Sequence, residues 1–174
     1  MTPEFLLRPL MTTDVELDYA AVMESRVELR PWEQTGWPAD DFTVEDDLVD
    51  LQDLEQRFRE KRSFTYTVMT LDETECLGCV YLMPRDARSY TSATITPLRE
   101  RRWEQVGGTV NFWVRTSRLA DGLDGRLLDT LRRWFDEDWD LDAPSGATIT
   151  ELRQMRDQIR DLVTHLTHEV GLAA

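Results

Sequence analysis

The sequence predicts a mixed α/β fold of the α+β kind, in which helices flank a largely antiparallel central sheet. Short runs of alternating apolar residues indicate strands, and longer runs with apolar residues three and four apart indicate helices. Their order is strand, two helices, three strands, helix, short strand, helix. Because strands and helices do not alternate regularly, this order excludes a doubly wound nucleotide-binding fold. A length of 174 residues fits a single domain over residues 1–174.

The first part of the chain supplies one strand and two helices. Residues 5–10 suit a strand, and residues 13–16 have the form of a capping box that starts a helix reaching about Ser25. Residues 30–38 are rich in Pro, Gly and Trp and predict a structured loop. A second helix begins near Thr43, and its apolar stripe consists of Val44, Leu48, Leu51, Leu54 and Phe58.

A hairpin that carries both cysteines of the chain is predicted next. Residues 64–69 alternate like a strand, and the acidic residues 72–75 turn the chain into a strand over 76–83. Cys76 and Cys79 form a C-x-x-C motif in that second strand. On a regular strand, residues three apart point to opposite faces. The two thiols are therefore predicted to be buried structural cysteines that neither pair nor share a metal.

The remaining part combines a long connection, a strand and two helices. Residues 84–107 form an irregular connection of a length that is usually functional or mobile, and residues 109–114 predict a strand. The last helix, over residues 150–170, has the most regular apolar face, which serves either the core or a dimer seam. Between the strand over 109–114 and this last helix, another helix is predicted from the spacing of its apolar residues, which are Leu123, Leu127, Leu128, Leu131, Trp134 and Phe135.

Charge and hydropathy exclude two classes of partner. With 34 acidic and 20 basic side chains the net charge is −14, which disfavours nucleic acid because such binding depends on basic residues that neutralise phosphates. No apolar run approaches the ~20 residues of a membrane span. The N-terminus lacks a basic region followed by an apolar one, so we expect a cytoplasmic protein.

The text of residues 112–131, FWVRTSRLADGLDGRLLDTL, resembles the GNAT superfamily of N-acetyltransferases when it is taken with the order of elements. Residues 5–10 and 77–81 resemble the first and third strands of that superfamily. The likeness covers roughly residues 4–140. More narrowly, the sequence resembles the bacterial branch of the superfamily that acts on ribosomal-protein and small-molecule amines.

The resemblance implies transfer of an acetyl group from acetyl-CoA, as co-substrate, to a primary amine of a small molecule or a protein. In the superfamily, free backbone groups of the strand before the central helix bind the pantetheine arm, which here implies Trp113, Val114 and Arg115. The following turn presents amide groups to the pyrophosphate at a helix N-terminus. The cofactor-binding residues implied there are Arg118, Ala120, Gly122, Leu123, Gly125 and Arg126.

The pyrophosphate turn departs from the superfamily's pattern. Leu119 stands where Gln or Arg is usual, Asp124 stands where a small residue is usual, and Asp121 adds a further carboxylate. Two hypotheses therefore stand side by side. The chain is an acyltransferase with a degenerate pyrophosphate motif, or a non-catalytic acidic binding or regulatory module with a degenerate CoA site.

The C-terminal part departs as well. The superfamily commonly ends in a further hairpin after a helix that carries a Tyr, whereas residues 150–170 contain no Tyr and only three residues follow Gly171. We therefore expect the C-terminal hairpin to be missing. A second copy of the chain in a homodimer is one source of the missing sheet edge.

Catalytic candidates follow from position and chemistry. Glu33, in the Trp-rich loop, and Glu104, before the 109–114 strand, are the candidate general bases, and Tyr81 is a candidate acid for the leaving thiolate. Trp32 and Asn111 are the candidate substrate-binding residues. His165 and His168 share a face of the last helix but lack a third ligand, so no metal site is predicted.

Overall fold

A computed structural model of the chain describes residues 4–33, 36–87, 90 and 107–138, without the side chains of Trp32 and of residues 136–138. Most of these residues belong to one compact unit, Met1–Pro84 with Gly108–Leu128. The other described residues, among them 129–138, belong to a second unit. The prediction of a single domain stays a prediction.

A four-stranded antiparallel sheet forms the centre of the first unit. Its strands are β1 (Leu6–Pro9), β2 (Phe64–Met69), β3 (Cys76–Pro84) and β4 (Gly108–Val114). They lie side by side in the order β1-β2-β3-β4, and each pairs with its neighbours in antiparallel fashion. The predicted antiparallel sheet and the hairpin between β2 and β3 are confirmed.

Five helices accompany the sheet within the described ranges. They are α1 (Val15–Glu24), α2 (Arg26–Glu33), α3 (Val44–Arg59), α4 (Thr116–Leu119) and α5 (Leu123–Asp138). Along α5, Leu123, Leu127, Leu131 and Phe135 are buried at intervals of four residues, as its apolar stripe predicts. None of the helices that the structure describes is both long and apolar enough to cross a bilayer. The predicted helix over 150–170 and the predicted loss of the C-terminal hairpin lie outside the described residues.

The capping box predicted at residues 13–16 is wrong. Thr12–Asp14 form a 3₁₀ turn, and α1 begins without a side-chain cap. The Asp14 carboxylate instead accepts two hydrogen bonds from the Arg8 guanidinium, at 2.6 and 2.8 Å. A capping box does form at α3, where the Thr43 hydroxyl and the Asp46 carboxylate each accept from the other's backbone N–H.

The loop predicted over residues 30–38 is also wrong in its first part. Residues up to Glu33 belong to α2, although Pro31 lies inside the helix. Leu29 is buried to 1% exposure and anchors this helix in the core. The Arg30 side chain donates to the Pro38 carbonyl at 2.9 Å and fixes the chain that follows. Burial and this contact outweigh the helix-breaking tendency of proline.

One face of the sheet is covered by α1 and α3. The residues that meet there are apolar or sulfur-bearing and nearly inaccessible to solvent, and Asp18 of α1 is buried among them. The buried cluster consists of Leu10, Ala21, Val22, Leu29, Leu51, Met69, Cys76, Cys79 and Trp113. Burial of such side chains is the main favourable term in folding.

A β-bulge interrupts β3 at Leu77. In the register with β2, Val68 lies opposite Gly78 and Met69 lies opposite Cys76, which leaves Leu77 as an extra residue. The extra residue turns Cys76 to the same face as Cys79, so that both thiols reach Asp18. The prediction that the two thiols point to opposite faces is therefore wrong, because it assumed a regular strand.

Gly78, next to the bulge, is required by the close approach of β4. Its φ is +149°, and a Cβ at this position would lie 2.1 Å from the Trp113 carbonyl oxygen and 2.9 Å from the Val114 Cα. Both atoms belong to the backbone of β4, so a side chain here would have to push β4 away. Only glycine allows β3 and β4 to approach this closely.

The substitution Gly78→Ala is expected to destabilise the protein by about 3 kcal/mol or more, because backbone strain and overlap add. Gly125→Ala is the matched control. A Cβ there meets nothing within 4 Å, and alanine in a helix stabilises by about 0.5–1 kcal/mol. Urea unfolding of both variants measures the difference. Equal effects would show that the approach of β4 to Gly78 is not tight.

Asp47 of α3 is a buried carboxylate without compensation. Its side chain is 1% exposed, and neither carboxylate oxygen has a hydrogen-bond partner among the described residues. Burial, together with the carboxylates of Asp18 and Asp50, raises the pKa of Asp47 to about 8. The folded chain therefore holds a proton that the unfolded chain loses near pH 4.

Stability should consequently fall as pH rises from about 4 to 8, by at most about 1.4 kcal/mol per pH unit from this group. Asp47→Asn removes that dependence. The variant should thus gain stability relative to the parent between pH 5 and pH 8, by at most about 4 kcal/mol. Urea unfolding at the two pH values measures this gain. Asp41→Asn, at an exposed position, is the control. A gain at Asp47 no larger than the control's would contradict the assignment.

Candidate functional site

The candidate site is built around the last residues of β4 and the turn that follows them. Trp113 and Val114 are buried, at 7% and 6% exposure. Within the described residues β4 pairs only with β3, so its other edge carries no described strand. Backbone groups along that edge are those that a strand-like ligand would meet.

Strand alternation decides which backbone groups of β4 face outwards. The Arg115 N–H donates to the carbonyl of the bulge residue Leu77 at 2.8 Å. In an antiparallel ladder, residues two apart bond the same neighbour, so Trp113 also directs its backbone towards β3. Val114, and Phe112 before it, present their backbone to the other edge. Of the three predicted pantetheine-binding residues, only Val114 has backbone groups that face the outer edge. The same alternation places the backbone groups of Phe112, which was not predicted, on that edge as well.

Side chains of α1 and its C-cap hold the start of the turn. The Thr116 N–H donates to the Ser25 hydroxyl at 3.1 Å, and the Ser117 N–H donates to the Glu24 carboxylate at 2.9 Å. Burial alone would raise the pKa of Glu24, but the hydrogen bonds from Ser117 and Arg115 outweigh it and lower the pKa to about 2. A carboxylate of the chain itself thus occupies the Ser117 amide near the start of α4.

Two of the predicted cofactor-binding arginines are engaged with carboxylates. Arg115 pairs with Glu24 at 2.6 Å and with Glu75 at 3.2 Å. Arg118 pairs with the same Glu75 at 2.5 Å. These pairs lock the turn to the end of α1 and to the β2–β3 hairpin. The sequence offers no periodic signal for them, because Arg115 and Glu24 lie 91 residues apart and Arg118 and Glu75 lie 43 residues apart.

The second half of the turn leads into α5. Gly122 has φ +71° and accepts the left-handed conformation there, while its N–H donates to the Leu119 carbonyl at 2.9 Å. Leu123 is the buried first residue of α5, and Ala120 and Gly125 are exposed. The α5 N-terminus provides amide groups and a positive dipole end directly after Gly122.

Arg126 lies on the first turn of α5 and pairs with a residue near the start of the chain. Its guanidinium donates to both oxygens of Glu4, at 2.7 and 2.6 Å, and to the Asp121 carbonyl. About half of the Arg126 and Glu4 side chains is exposed. The contact lowers the pKa of Glu4 through the hydrogen bond with Arg126.

Tyr81 and Asn111 lie opposite each other on β3 and β4. The Tyr81 hydroxyl accepts a hydrogen bond from the Trp113 indole at 3.1 Å. Burial, with the neighbouring Cys79 and Asp18, raises the pKa of Tyr81 well above its ordinary value, so the phenol keeps its proton. Asn111 donates to the Thr109 hydroxyl at 3.4 Å.

The remaining candidates lie in α2 or outside the described residues. Glu33 is the exposed last residue of α2, and it makes no hydrogen bond or ion pair with the described residues. Trp32 lies beside it in α2. Glu104, His165 and His168 lie outside the described residues.

Comparison with known proteins finds likeness in structure alone. No family model matches the sequence, and no curated protein matches it. The solved structures that match include RimL, a ribosomal α-N-protein acetyltransferase in complex with coenzyme A. It shares 15% identity over 77% of this chain and 64% of its own, with a TM-score of 0.52.

Two further matching structures are also described as acetyltransferases. The microcin self-immunity acetyltransferase MccE, in complex with acetyl-CoA and AMP, shares 11% identity over 80% of this chain and 66% of its own, with a TM-score of 0.56. A chain from Bordetella pertussis described as a GNAT-family acetyltransferase shares 12% identity over 91% and 85%, with a TM-score of 0.51. This chain thus spans slightly less than two thirds of RimL and of MccE. At these identities the likeness establishes the fold, and the fold of this chain is that of the GNAT acetyltransferases.

Proposed function

We propose that this chain transfers an acetyl group from acetyl-CoA to a primary amine. The observation that carries the proposal is the strand–turn–helix unit formed by β4, the turn at residues 115–122 and the start of α5. This strand–turn–helix unit offers an outward strand edge and, after Gly122, a helix N-terminus. It lies in a fold whose solved neighbours include complexes with coenzyme A and with acetyl-CoA.

The strand half of the unit fits an extended acyl-carrying arm. Phe112 and Val114 present backbone N–H and C=O groups to the edge of β4 away from β3, and such groups bind an extended ligand as another strand would. Acetyl-CoA supplies the thioester that the amine attacks. The chain's contribution is to position that thioester along β4 and to exclude water beside the buried Trp113.

The helix half of the strand–turn–helix unit fits a pyrophosphate if Arg126 releases Glu4 and binds the pyrophosphate instead. The α5 N-terminus favours anions, but the Asp121 and Asp124 carboxylates oppose them, and Arg126 is held by Glu4. Exposed ion pairs in water are weak, whereas a guanidinium binds phosphate in a charge-assisted, bidentate way. We therefore infer that a bound pyrophosphate displaces Glu4 from Arg126.

Proton transfer is assigned by the same proposal to the residues that the sequence singled out. Glu33 or Glu104 removes the proton of the amine, and Tyr81 supports the departing thiolate as a hydrogen-bond donor, since its phenol keeps its proton. Trp32 and Asn111 line the amine side. Steady-state kinetics of Glu33→Gln and Glu104→Gln identify the base. The variant that has lost the base is expected to have a kcat lower by roughly 10²–10⁴-fold with an unchanged KM.

The acceptor is proposed only as a primary amine. RimL is named for α-N-acetylation of a ribosomal protein, and the net charge of −14 attracts cationic amines to this chain by steering. The proposal places the reaction in the cytoplasm and includes a homodimer, for which light scattering on the full chain is the test. A monomer at all concentrations would remove the homodimer without touching the activity.

Calorimetry with acetyl-CoA tests the proposal. Binding is expected, and Arg126→Gln should weaken it by roughly tenfold because a charge-assisted contact is lost. Glu4→Gln should strengthen binding, since it releases Arg126. Arg132→Gln is the control, because Arg132 lies two turns further along α5 and pairs with Asp129. No heat with millimolar acetyl-CoA would contradict the proposal.

One observation favours the second candidate, a non-catalytic binding module. Arg115 and Arg118 are paired with Glu24 and Glu75, and Glu24 also accepts the Ser117 amide near the start of the turn. A chain that has replaced the coenzyme's anions with its own carboxylates would look like this. The calorimetric result separates the two candidates.

A further inference from the structure

A buried cluster of three metal-ligating side chains lies outside the β4 site. The Asp18 carboxylate of α1 meets the thiols of Cys76 and Cys79 on β3, at 3.6 Å and 3.3 Å between one carboxylate oxygen and each sulfur. The three donor atoms all lie within 4.8 Å of one another. All three residues are nearly inaccessible, with 4% exposure for Asp18, 0% for Cys76 and 1% for Cys79.

We propose that Asp18, Cys76 and Cys79 bind a thiophilic divalent cation of the zinc class. A tetrahedral zinc ion with Zn–S about 2.3 Å and Zn–O about 2.1 Å has ligand–ligand edges of about 3.6–3.8 Å. The two sulfur–oxygen distances are close to such edges, and the two sulfurs lie within 4.8 Å of each other, so small side-chain movements bring the three atoms onto one face of a tetrahedron. The fourth position is left to water or a small solute.

The charge balance of the pocket supports a cation. Among the described residues, Asp18 has no arginine, lysine or histidine partner, and its hydrogen bonds come from the two thiols, which are weak donors. The carboxylates of Asp14 and Asp50 are near enough to act on it electrostatically. Asp14 is neutralised by Arg8, whereas Asp18 is not. Buried carboxylates are ordinarily paired or bound to metal.

The donor set selects the metal. Two sulfurs exclude magnesium and calcium, which prefer oxygen ligands, and they suit zinc or its surrogate cobalt. On binding, two S–H bonds are replaced by two metal–sulfur bonds, and the two protons leave to solvent. No electron is transferred, so the step needs no oxidant.

A second layer of contacts surrounds the cluster. The Tyr81 phenol interacts with the Cys79 thiol and accepts from the Trp113 indole, so it is placed to support a thiolate ligand. Such outer contacts orient metal ligands and tune their affinity. Cys79 also lies opposite Trp113 in the β3–β4 register. A bound metal would therefore fasten α1 to the strand next to β4, whether or not the chain binds acetyl-CoA.

A disulfide is the competing use of a C-x-x-C pair. It requires an oxidant that reaches the sulfurs, yet both thiols are covered, and Cys76 has no exposed surface at all. A metal that binds as the chain folds does not meet this obstacle. The burial of the pair therefore favours metal over thiol–disulfide exchange.

The test uses the full chain expressed in zinc-depleted medium that contains Co²⁺, and purified with a phosphine reductant. About one Co²⁺ per chain is expected by elemental analysis, together with thiolate-to-cobalt charge-transfer absorption and the visible bands of tetrahedral Co²⁺. Added Zn²⁺ should remove the bands and raise the melting temperature by several degrees. Because the chain contains only two cysteines, a charge-transfer band can come only from Cys76 and Cys79.

Variants locate the site. Cys76→Ser, Cys79→Ser and Asp18→Asn should each lower the bound Co²⁺ and shift or abolish the bands, whereas Asp41→Asn, at an exposed acidic position, should change neither. If a cluster variant fails to fold, the absorption of the parent chain decides. A folded, reduced parent without the charge-transfer band overturns the proposal, as does Co²⁺ that remains in a folded Cys76→Ser/Cys79→Ser chain. A mass lower by two hydrogens, with no metal bound, would also overturn it in favour of the disulfide.

Discussion

The extra residue in β3 is the constraint on which the rest of the described structure depends. With Leu77 unpaired against β2, Cys76 turns to the face of Cys79, while the Leu77 carbonyl, on the β4 side of the strand, accepts the Arg115 N–H at 2.8 Å. Next to the bulge, Gly78 lies against the backbone of β4, where no side chain fits. One inserted residue thus sets the buried sulfur cluster, and the residue itself holds the start of the candidate coenzyme turn.

Carboxylates hold the turn that follows β4. Glu24, Glu75 and Glu4 each bind an arginine of the turn or of α5, so some of the chain's acidic residues serve as internal counterions. These pairs fix the turn when no anion is bound, and they also compete with any phosphate that enters. An acetyltransferase and a module that has lost its coenzyme share this arrangement. The proposed acetyltransferase additionally requires the exposed Arg126–Glu4 pair to open.

The sequence predicted the fold well where its signals were local and periodic. The strands over 64–69 and 76–83, the apolar stripe of α3 and the stripe of α5 follow from alternation and from spacings of three and four. The cap of α1 and the extent of α2 could not be found in this way, because Arg8 binds Asp14 across the turn and the burial of Leu29 overrides Pro31. Tertiary contacts decide both.

The candidate site was predictable only in outline. Motif likeness located the strand, the turn and Gly122, but it did not show that the Arg115 amide belongs to β3 or that Arg115, Arg118 and Arg126 already have carboxylate partners. The period of a regular strand gives the wrong faces for the C-x-x-C motif, and no pattern in residues 76–83 marks the bulge except the glycine at position 78. Contacts across 40 to 120 residues carry this information, and a single sequence does not display them.

A crystal structure of the full chain tests the central claim most directly. Leu77 is expected to be unpaired between Gly78 and Cys76, with the Arg115 N–H bonded to the Leu77 carbonyl and both sulfur atoms on the face of β3 that meets Asp18. A regular ladder through Leu77, with the side chains of Cys76 and Cys79 on opposite faces of the sheet, would contradict it.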